Sequence, residues 1–298
     1  MMKKLLSLLC LMTLLCASAS AELVQSPYLD VAFSALEEGN PFVARYEEAT
    51  GVEITPLIST GIPYTFGGRD SQYLFMVRKI TQVSKYGAVG TKCIWGFDCS
   101  GFTRWIQQQV GDKEHPGLTE MILKRSQYKE YRMEDLVLKG GKYTPSYFKG
   151  EKLTIEEITE RLQVSDLLAA KHSGRHVLMY IGTLRDYGYD EESAGEAAAF
   201  LDYPLMINCG NDPNYIARTQ QYIDENGLDA KPSKGGVTIS IIGMAETDAP
   251  HLNESGAKPF YYYELADGYQ LSVYDLVGAS SYVFWRTIDS DRGTANND

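Results

Sequence analysis

The sequence predicts an α+β fold, with helices in the first part of the chain and strands in the second. Apolar side chains recur at helical spacing at Phe102, Trp105, Ile106 and Val110, so this stretch forms an amphipathic helix with one buried face. From residue 164 onward the pattern changes to short runs rich in β-branched and aromatic residues, which are typical of strands. Helices followed by strands indicate helices packed on an antiparallel sheet.

Residues 1–21 are typical of a secretory signal peptide. Two lysines precede an apolar run from Leu5 to Cys16, and Ala19-Ser20-Ala21 offers small residues for cleavage after Ala21. The run is too short to cross a membrane. A lipoprotein signal would acylate Cys16, but Leu15 stands before it where a small residue is expected. We therefore expect a secreted protein, in the periplasm, the cell wall or the extracellular space, without a membrane span.

The mature chain is acidic and keeps three cysteines. Lys3 and Lys4 leave with the signal, so 26 basic side chains remain against 39 acidic ones, a net charge of −13. This balance argues against nucleic-acid binding, which requires a basic surface. The odd number of cysteines outside the cytosol indicates a thiol outside a disulfide, and Cys99 is the natural candidate. Cys93 and Cys209 are compatible with a disulfide or with two buried thiols.

Residues 22–60 form an N-terminal segment that we expect to pack on the following domain. Gly39-Asn40-Pro41 interrupts its apolar positions, which favours two short helices over one long helix. The segment is too short to be a separate binding domain.

Seven segments of the second half have strand character. The clearest is His176-Val177-Leu178-Met179-Tyr180-Ile181, which Gly182 follows as a turn. The others are residues 164–168, 203–209, 237–242, 260–264, 271–274 and 282–286. Residues 289–298 form a polar tail.

Cys99 lies at the predicted N-terminus of the helix that contains Phe102. The backbone amides and the positive end of the helix dipole at this position favour a thiolate over a thiol, which makes the sulfur a better nucleophile. The alternative is a small buried cysteine, with Asp98 and Ser100 acting only as helix caps.

Three motifs follow one another in the chain: Tyr64-Thr65-Phe66-Gly67-Gly68, Asp98-Cys99-Ser100-Gly101-Phe102 and residues 174–182. Together they resemble the NlpC-type cell-wall cysteine peptidases, papain-like enzymes that cleave peptidoglycan stem peptides. Three matching motifs in the right order arise by chance far more rarely than one. The resemblance implies a papain-like domain over residues 61–288, with the nucleophile at a helix N-terminus packed on an antiparallel sheet.

Three connections are longer than this family resemblance leads us to expect, and we interpret them as insertions near residues 69–97, 112–160 and 184–200. The first has apolar residues at helical spacing, and we expect it to add a wall to the cleft or to narrow its entrance. The third contains an alanine-rich stretch that favours a helix.

Cysteine hydrolysis needs a base near the sulfur and a third group that orients the base. Motif position makes His176 the base, with His172 in a predicted loop as the competitor. These two histidines have the spacing of a helical zinc motif, but Gly174 disfavours a helix there and no acidic residue separates them. We predict no metal site and no cofactor.

The resemblance implies that the third group lies on the strand after the histidine strand, at Asn208. An amide oxygen accepts a hydrogen bond from the imidazole N–H and fixes its tautomer. The alternatives are that Asn208 only caps the turn before Gly210, and that Asn211 or Asp212 takes its role.

The resemblance also implies that Tyr64, Asp98 and Ser100 recognise the stem peptide, with Asp98 opposite the free amine of L-alanine; helix capping and core packing are the alternative roles. The implied reaction is hydrolysis of the amide between D-glutamate and the following diamino acid, in intact peptidoglycan or in its fragments. Two other functions fit the same sequence: an amidase or acyltransferase on the same fold, and a non-catalytic wall-binding protein whose insertions block the cleft. The diamino acid and the oligomeric state stay open.

Overall fold

The computed structural model describes residue 23 and residues 25–111, 137–138, 152–153, 155–171, 176–274 and 281–285. The predicted signal peptide, the polar tail, His172 and most of the predicted insertion at residues 112–160 lie outside the described residues. The described chain is an α+β protein in which helices pack on one large mixed sheet. No helix within these ranges combines the length and the apolar character that crossing a membrane requires.

The helices of the described part are α1 (Pro27–Phe33), α2 (Pro41–Thr50), α3 (Cys99–Gln109), α4 (Ile155–Thr159) and α5 (Asn214–Glu225). The strands are β1 (Val77–Lys79), β2 (Lys92–Ile94), β3 (Val137–Leu138), β4 (Lys152–Leu153), β5 (Leu167–Lys171), β6 (His176–Gly182), β7 (Leu205–Asn211), β8 (Gly235–Ile242), β9 (His251–Asn253), β10 (Phe260–Glu264), β11 (Gln270–Tyr274) and β12 (Ser281–Trp285). Short 3₁₀ helices cover Ser71–Tyr73, Gly195–Phe200 and Glu246–Asp248.

Helices α1 and α2 confirm the two short helices predicted before residue 60. Each begins with a proline, whose missing N–H would have no intrahelical acceptor in the first turn. The Asn40 side chain caps α2 by accepting a hydrogen bond from the Phe42 amide at 3.0 Å. The Phe42 ring meets Tyr187 edge to face at 5.3 Å. This contact packs the N-terminal segment against the main body of the protein.

Eight strands form the main sheet in the order β12-β5-β6-β7-β8-β11-β10-β9. Every neighbouring pair is antiparallel except β8 and β11, which run parallel with Ser240 opposite Ser272. The expectation of a purely antiparallel sheet is therefore wrong. After β8 the chain crosses to the outer edge as β9 and reverses twice, through β10 and β11, so β11 returns beside β8 in the same direction. A crossing connection leaves a parallel pair where a hairpin would leave an antiparallel one.

Both faces of the central strands are covered. Phe102 and Ile106 of α3 belong to a buried cluster with Val177 and other residues of one sheet face. On the opposite face, Ile158, near the end of α4, packs in a second cluster with Leu178. Strand β6 is therefore apolar after its first residue, as expected for a strand between two layers.

The segment between residues 69 and 97 is a hairpin, and its helical interpretation is wrong. Strands β1 and β2 pair from Val77 opposite Ile94 to Lys79 opposite Lys92. The helical spacing misleads because its apolar residues do not share one buried face: Val83 is 79% exposed, whereas Ile80 packs in a separate small cluster. Helix α5 follows β7 directly and was not predicted, and the alanine-rich stretch of the third insertion ends as a 3₁₀ helix.

Candidate active site

Asp98 fixes the start of α3 and with it the position of Cys99. One carboxylate oxygen, Oδ1, accepts hydrogen bonds from the Gly101 amide at 2.7 Å and from the Ser100 hydroxyl at 2.9 Å. The Asp98 amide donates to the Gly68 carbonyl at 2.8 Å. Cys99 is therefore the first residue of the helix, where the N-terminal amides and the helix dipole act on its side chain.

Glycines let the loop that carries Tyr64 approach this helix start. A Cβ atom on Gly101 would lie 2.1 Å from the Gly68 carbonyl oxygen, and a Cβ atom on Gly68 would lie 2.1 Å from the Gly96 carbonyl oxygen. Both distances are far inside van der Waals contact, so only glycine fits at these two positions. The spacing of glycines in the first two motifs is thus a packing requirement that places Tyr64 beside α3.

His176 and Asn208 form a hydrogen bond between adjacent strands. His176 is the first residue of β6 and Asn208 lies within β7, and imidazole Nε2 is 2.9 Å from the Asn208 Oδ1 atom. His176 also stacks on Tyr274, with ring centroids 5.2 Å apart and planes 30° apart. The imidazole is thus oriented by an amide at its edge and by a ring on its face.

The direction of this hydrogen bond follows from a chain of buried partners. The Ser272 hydroxyl donates to the Ile239 carbonyl at 3.1 Å, so the Ser240 hydroxyl, 2.5 Å from Ser272 Oγ, donates to Ser272. Ser240 Oγ then accepts from Asn208 Nδ2 at 3.0 Å. The Asn208 oxygen therefore faces His176 and accepts from Nε2–H, which leaves Nδ1 as the imidazole nitrogen that can take a proton.

Gly210 leaves the space that this hydrogen bond needs. A Cβ atom there would lie 2.8 Å from Asn208 Oδ1 and 3.1 Å from His176 Cε1. A side chain at residue 210 would therefore push on both members of the pair.

Cys99, His176 and Asn208 line one cavity of about 740 Å³, and the three predicted recognition residues Tyr64, Asp98 and Ser100 line it too. The structure thus brings together all six residues that the sequence singled out. Residues of this cavity come from the helix start, the glycine loop, the first insertion and five strands of the main sheet.

The first insertion forms one wall of the cavity through Ser84, Lys85 and Tyr86. The Tyr86 ring stacks on Tyr64 with centroids 4.0 Å apart. The pKa of the Tyr64 phenol and that of the Tyr86 phenol are both raised above the ordinary value. Burial is the larger cause and the nearby Cys99 sulfur the second, so both phenols keep their protons at neutral pH. The insertion therefore extends the cleft and does not fill it.

Asp98 and Ser100 also have the structural role that the sequence left as the alternative, since both take part in the helix cap. Asp98 Oδ2 in addition lies 3.3 Å from Arg69 Nε. Arg69 was not among the predicted site residues, although it directly follows the glycine motif. It compensates part of the negative charge that Asp98 brings to the cavity.

The alternatives to Asn208 have other tasks. Asn211 holds the loop before β10: its Oδ1 atom accepts from the Ala257 amide at 3.0 Å and from the Lys258 amide at 3.2 Å. Asp212 accepts from the Asn214 amide at 2.9 Å at the start of α5. Burial raises the pKa of Asp212 to about 6, although the Arg218 guanidinium opposes the shift.

None of the three cysteines in the described part of the chain is in a disulfide. The Cys209 thiol lies 3.3 Å from the Phe97 carbonyl oxygen, and burial raises its pKa and that of Cys93. Cys93 and Cys209 are therefore two separate buried thiols. Among the residues that the structure describes, no three His, Cys, Asp or Glu side chains gather as potential metal ligands.

Sequence reasoning missed Ser240, Ser272 and Lys258 as cavity residues. The two serines carry a recognisable signal, because they interrupt the apolar strands β8 and β11 at positions buried in the sheet. Buried hydroxyls in a strand need hydrogen-bond partners. Here the hydrogen bonds lead from Ser272 through Ser240 to Asn208.

No protein-family model matches this sequence, and no solved structure matches the chain significantly.

Proposed function

We propose that this protein is a cysteine peptidase of NlpC-like, papain-like type that hydrolyses peptidoglycan stem peptides. The bond we assign is the amide between the γ-carboxyl of D-glutamate and the following diamino acid. The observation that carries the proposal is the oriented pair of His176 and Asn208 in one cavity with Cys99 at a helix N-terminus. The choice of bond follows from the resemblance of the three sequence motifs.

The hydrogen-bond direction supports His176 as the base. With Nε2–H donated to Asn208, the Nδ1 atom holds the lone pair that accepts the thiol proton. The resulting thiolate lies at the positive end of the α3 dipole, which stabilises it. Asn208 is neutral, so it orients the imidazolium without adding charge to the site.

The reaction proceeds in two steps. The Cys99 sulfur attacks the γ-carbonyl of D-glutamate, and the backbone amide at the helix start meets the developing oxyanion. His176 then gives its proton to the amine of the diamino acid, which leaves, and a thioester to Cys99 remains. Water attacks the thioester with His176 as the base, releasing the glutamyl fragment and restoring the thiol.

Substrate recognition falls to Tyr64, Asp98 and Ser100. The Asp98 carboxylate lines the cavity and supplies the negative charge that the free amine of an N-terminal L-alanine would need. The wall formed by Ser84, Lys85 and Tyr86 narrows access, which suits released stem peptides better than the crosslinked sacculus. Secretion to the cell wall, expected from the signal peptide, would bring the protein to this substrate.

The test is incubation of the mature protein with L-Ala-γ-D-Glu-diaminopimelate and with intact sacculus, followed by mass spectrometry. We expect diaminopimelate to be released from the tripeptide, and Cys99→Ala and His176→Ala to abolish its release. Cys93→Ala is the matched control, because it removes a buried thiol that does not line the cavity.

Transfer products in place of hydrolysis would point to an acyltransferase. An intact tripeptide, with Cys99 still alkylated rapidly by iodoacetamide, would refute the assigned bond. An intact tripeptide together with an unreactive Cys99 would refute the peptidase itself.

A further inference from the structure

Two lysines line the cleft, each on a different segment of the chain. Lys85 belongs to the wall formed by the first insertion, and Lys258 belongs to the loop before β10. Each ammonium lies beside a ring that belongs to the site: Lys85 Nζ is 5.4 Å from the Tyr86 ring centroid, and Lys258 Nζ is 5.7 Å from that of Tyr274. These rings in turn stack on Tyr64 and on His176.

Lys258 is held in place by its backbone. The Asn211 side chain accepts from the Lys258 amide at 3.2 Å and donates to the Lys258 carbonyl at 3.2 Å. Its half-buried ammonium lies 3.5 Å from Glu246 Oε1. A lysine fixed at both backbone groups loses less conformational entropy when it binds a ligand than one in a mobile loop.

The charges of the cavity do not cancel. Arg69 pairs with Asp98, and Lys258 pairs with Glu246. Lys85 forms no ion pair with any residue that the structure describes, so the described lining of the cavity carries a net positive charge on an otherwise acidic protein. Partial removal from water lowers the pKa of Lys85, and the charge of Lys258 lowers it further, while Glu246 acts in the opposite direction. An anion between the two ammonium groups would relieve this repulsion.

We propose that Lys85 and Lys258 form a subsite that binds a carboxylate of the substrate. The inference rests on the proposed function, since it names the group of the stem peptide that enters this end of the cleft. L-Ala-γ-D-Glu-diaminopimelate carries three carboxylates: the α-carboxylate of D-glutamate, the C-terminal carboxylate and the distal carboxylate of diaminopimelate. Recognition of the distal group would also select diaminopimelate over L-lysine, which has no carboxylate there.

The test compares this tripeptide with three analogues, each with one carboxylate replaced by a carboxamide. We expect kcat/KM of the unaltered protein to fall at least about tenfold for one analogue, which identifies the bound carboxylate. The variant with both Lys85→Met and Lys258→Met should cut all four peptides within about twofold of one another. Lys79→Met, an exposed lysine of β1 outside the cavity, is the matched control and should keep the full discrimination.

Equal cleavage of all four peptides by the unaltered protein would overturn the subsite and leave the proposed function intact. Discrimination that survives in the double lysine variant would also overturn it. If no peptide is cut, calorimetric binding to Cys99→Ala decides the matter. If a peptide binds and its binding requires one carboxylate and both lysines, the subsite is supported although the peptidase activity is not. If no peptide binds, both the subsite and the proposed function are refuted.

Discussion

At the scale of single residues, the order of donors and acceptors behind His176 determines which imidazole nitrogen can act as a base. Ser240 lines the cavity and fixes the Asn208 amide by accepting a hydrogen bond from its Nδ2 atom. The Thr238 carbonyl, 3.3 Å from the same nitrogen, is the second and weaker support. Ser240 is therefore a positioning residue that acts through Asn208.

We predict that Ser240→Ala slows the alkylation of Cys99 by iodoacetamide at pH 7 about three- to tenfold, and that Asn208→Ala slows it more. Because Ser240 acts only through Asn208, the double variant should be no slower than Asn208→Ala alone. The measurement is the second-order rate constant across a pH series, with Ser193→Ala, a half-buried serine outside the cavity, as the control. If the fold-reduction in alkylation rate in the double variant equals the product of the two single reductions, Ser240 acts independently of Asn208.

Asp212 provides a prediction on stability. Its pKa is raised from 3.8 to about 6 by burial, so the folded protein binds a proton more tightly than the unfolded chain does between these values. The protonated Asp212 side chain therefore stabilises the folded protein relative to its ionised form. This contribution to stability is fully present below pH 4 and is lost as the pH rises through 6. Asp212→Asn removes this titration, so the variant should gain stability relative to the unaltered protein, on the order of 1 to 3 kcal/mol between pH 4 and pH 7.

Urea denaturation at several pH values measures this gain. The comparison is between the two proteins at each pH, because other carboxylates change the absolute stability of both in the same way. Arg218 keeps Glu37 as an ion-pair partner at 3.0 Å in the variant. Stability curves that run parallel over pH 4 to 7 would contradict the raised pKa.

At the scale of elements, the start of α3 combines a helix cap with a candidate recognition charge, and two substitutions at Asp98 separate these roles. Asp98→Ala removes the acceptor of the Gly101 amide and should cost about 1 to 2 kcal/mol of unfolding free energy. Asp98→Asn keeps an oxygen acceptor but removes the charge, so we expect it to cost less than about 0.5 kcal/mol. If Asp98 also recognises the substrate amine, the unaltered protein should prefer a tripeptide with a free L-alanine amine over one with an acetylated amine. In Asp98→Asn the ratio of kcat/KM for these two tripeptides should fall about tenfold.

Thermal or urea unfolding measures the first effect, and kcat/KM on the two tripeptides measures the second. An Asp98→Asn variant with unchanged preference would leave Asp98 with the capping role alone.

The elements that the sequence predicts well are those whose signal is local. Cys99 at a helix start and His176 at a strand start each follow from a few neighbouring residues, because caps, glycines and apolar periodicity act within one element. The parallel pairing of β8 and β11 does not follow from neighbouring residues, since the direction of β11 depends on the connection through β9 and β10. The β1–β2 hairpin was mistaken for a helix because its exposed apolar residues imitate a helical period.

The candidate site shows the same division. Motifs locate Tyr64, Asp98 and Cys99, whose neighbours in the chain are also their neighbours in space. Ser240 and Lys258 reach the cavity only through strand pairing and through a loop held from β7. Their role depends on contacts between residues distant in sequence, which a single sequence does not specify.

At the scale of the whole molecule, the main sheet with its helices forms the cleft, and the first insertion forms one of its walls. The loop of the β1–β2 hairpin contributes little to the main core: Val83 and Val89 are 79% and 56% exposed. Its ends meet closely, because the Ile80 amide donates to the Thr91 carbonyl at 2.8 Å. The loop can therefore be shortened without removing residues of the main core.

We predict that replacing residues 81–90 by Asn-Gly, which suits a two-residue hairpin turn, leaves a folded protein with a wider cleft. The loss of the Tyr86 stack on Tyr64 should cost about 1 kcal/mol of stability. Cleavage of intact sacculus should rise relative to cleavage of the tripeptide, because the wall that excludes bulky strands is gone. Tyr86→Ala in the full-length loop is the control, as it removes the stack but keeps the wall backbone. An unchanged ratio of the two rates, in a variant that keeps its fold by circular dichroism, would mean that the insertion does not gate the cleft.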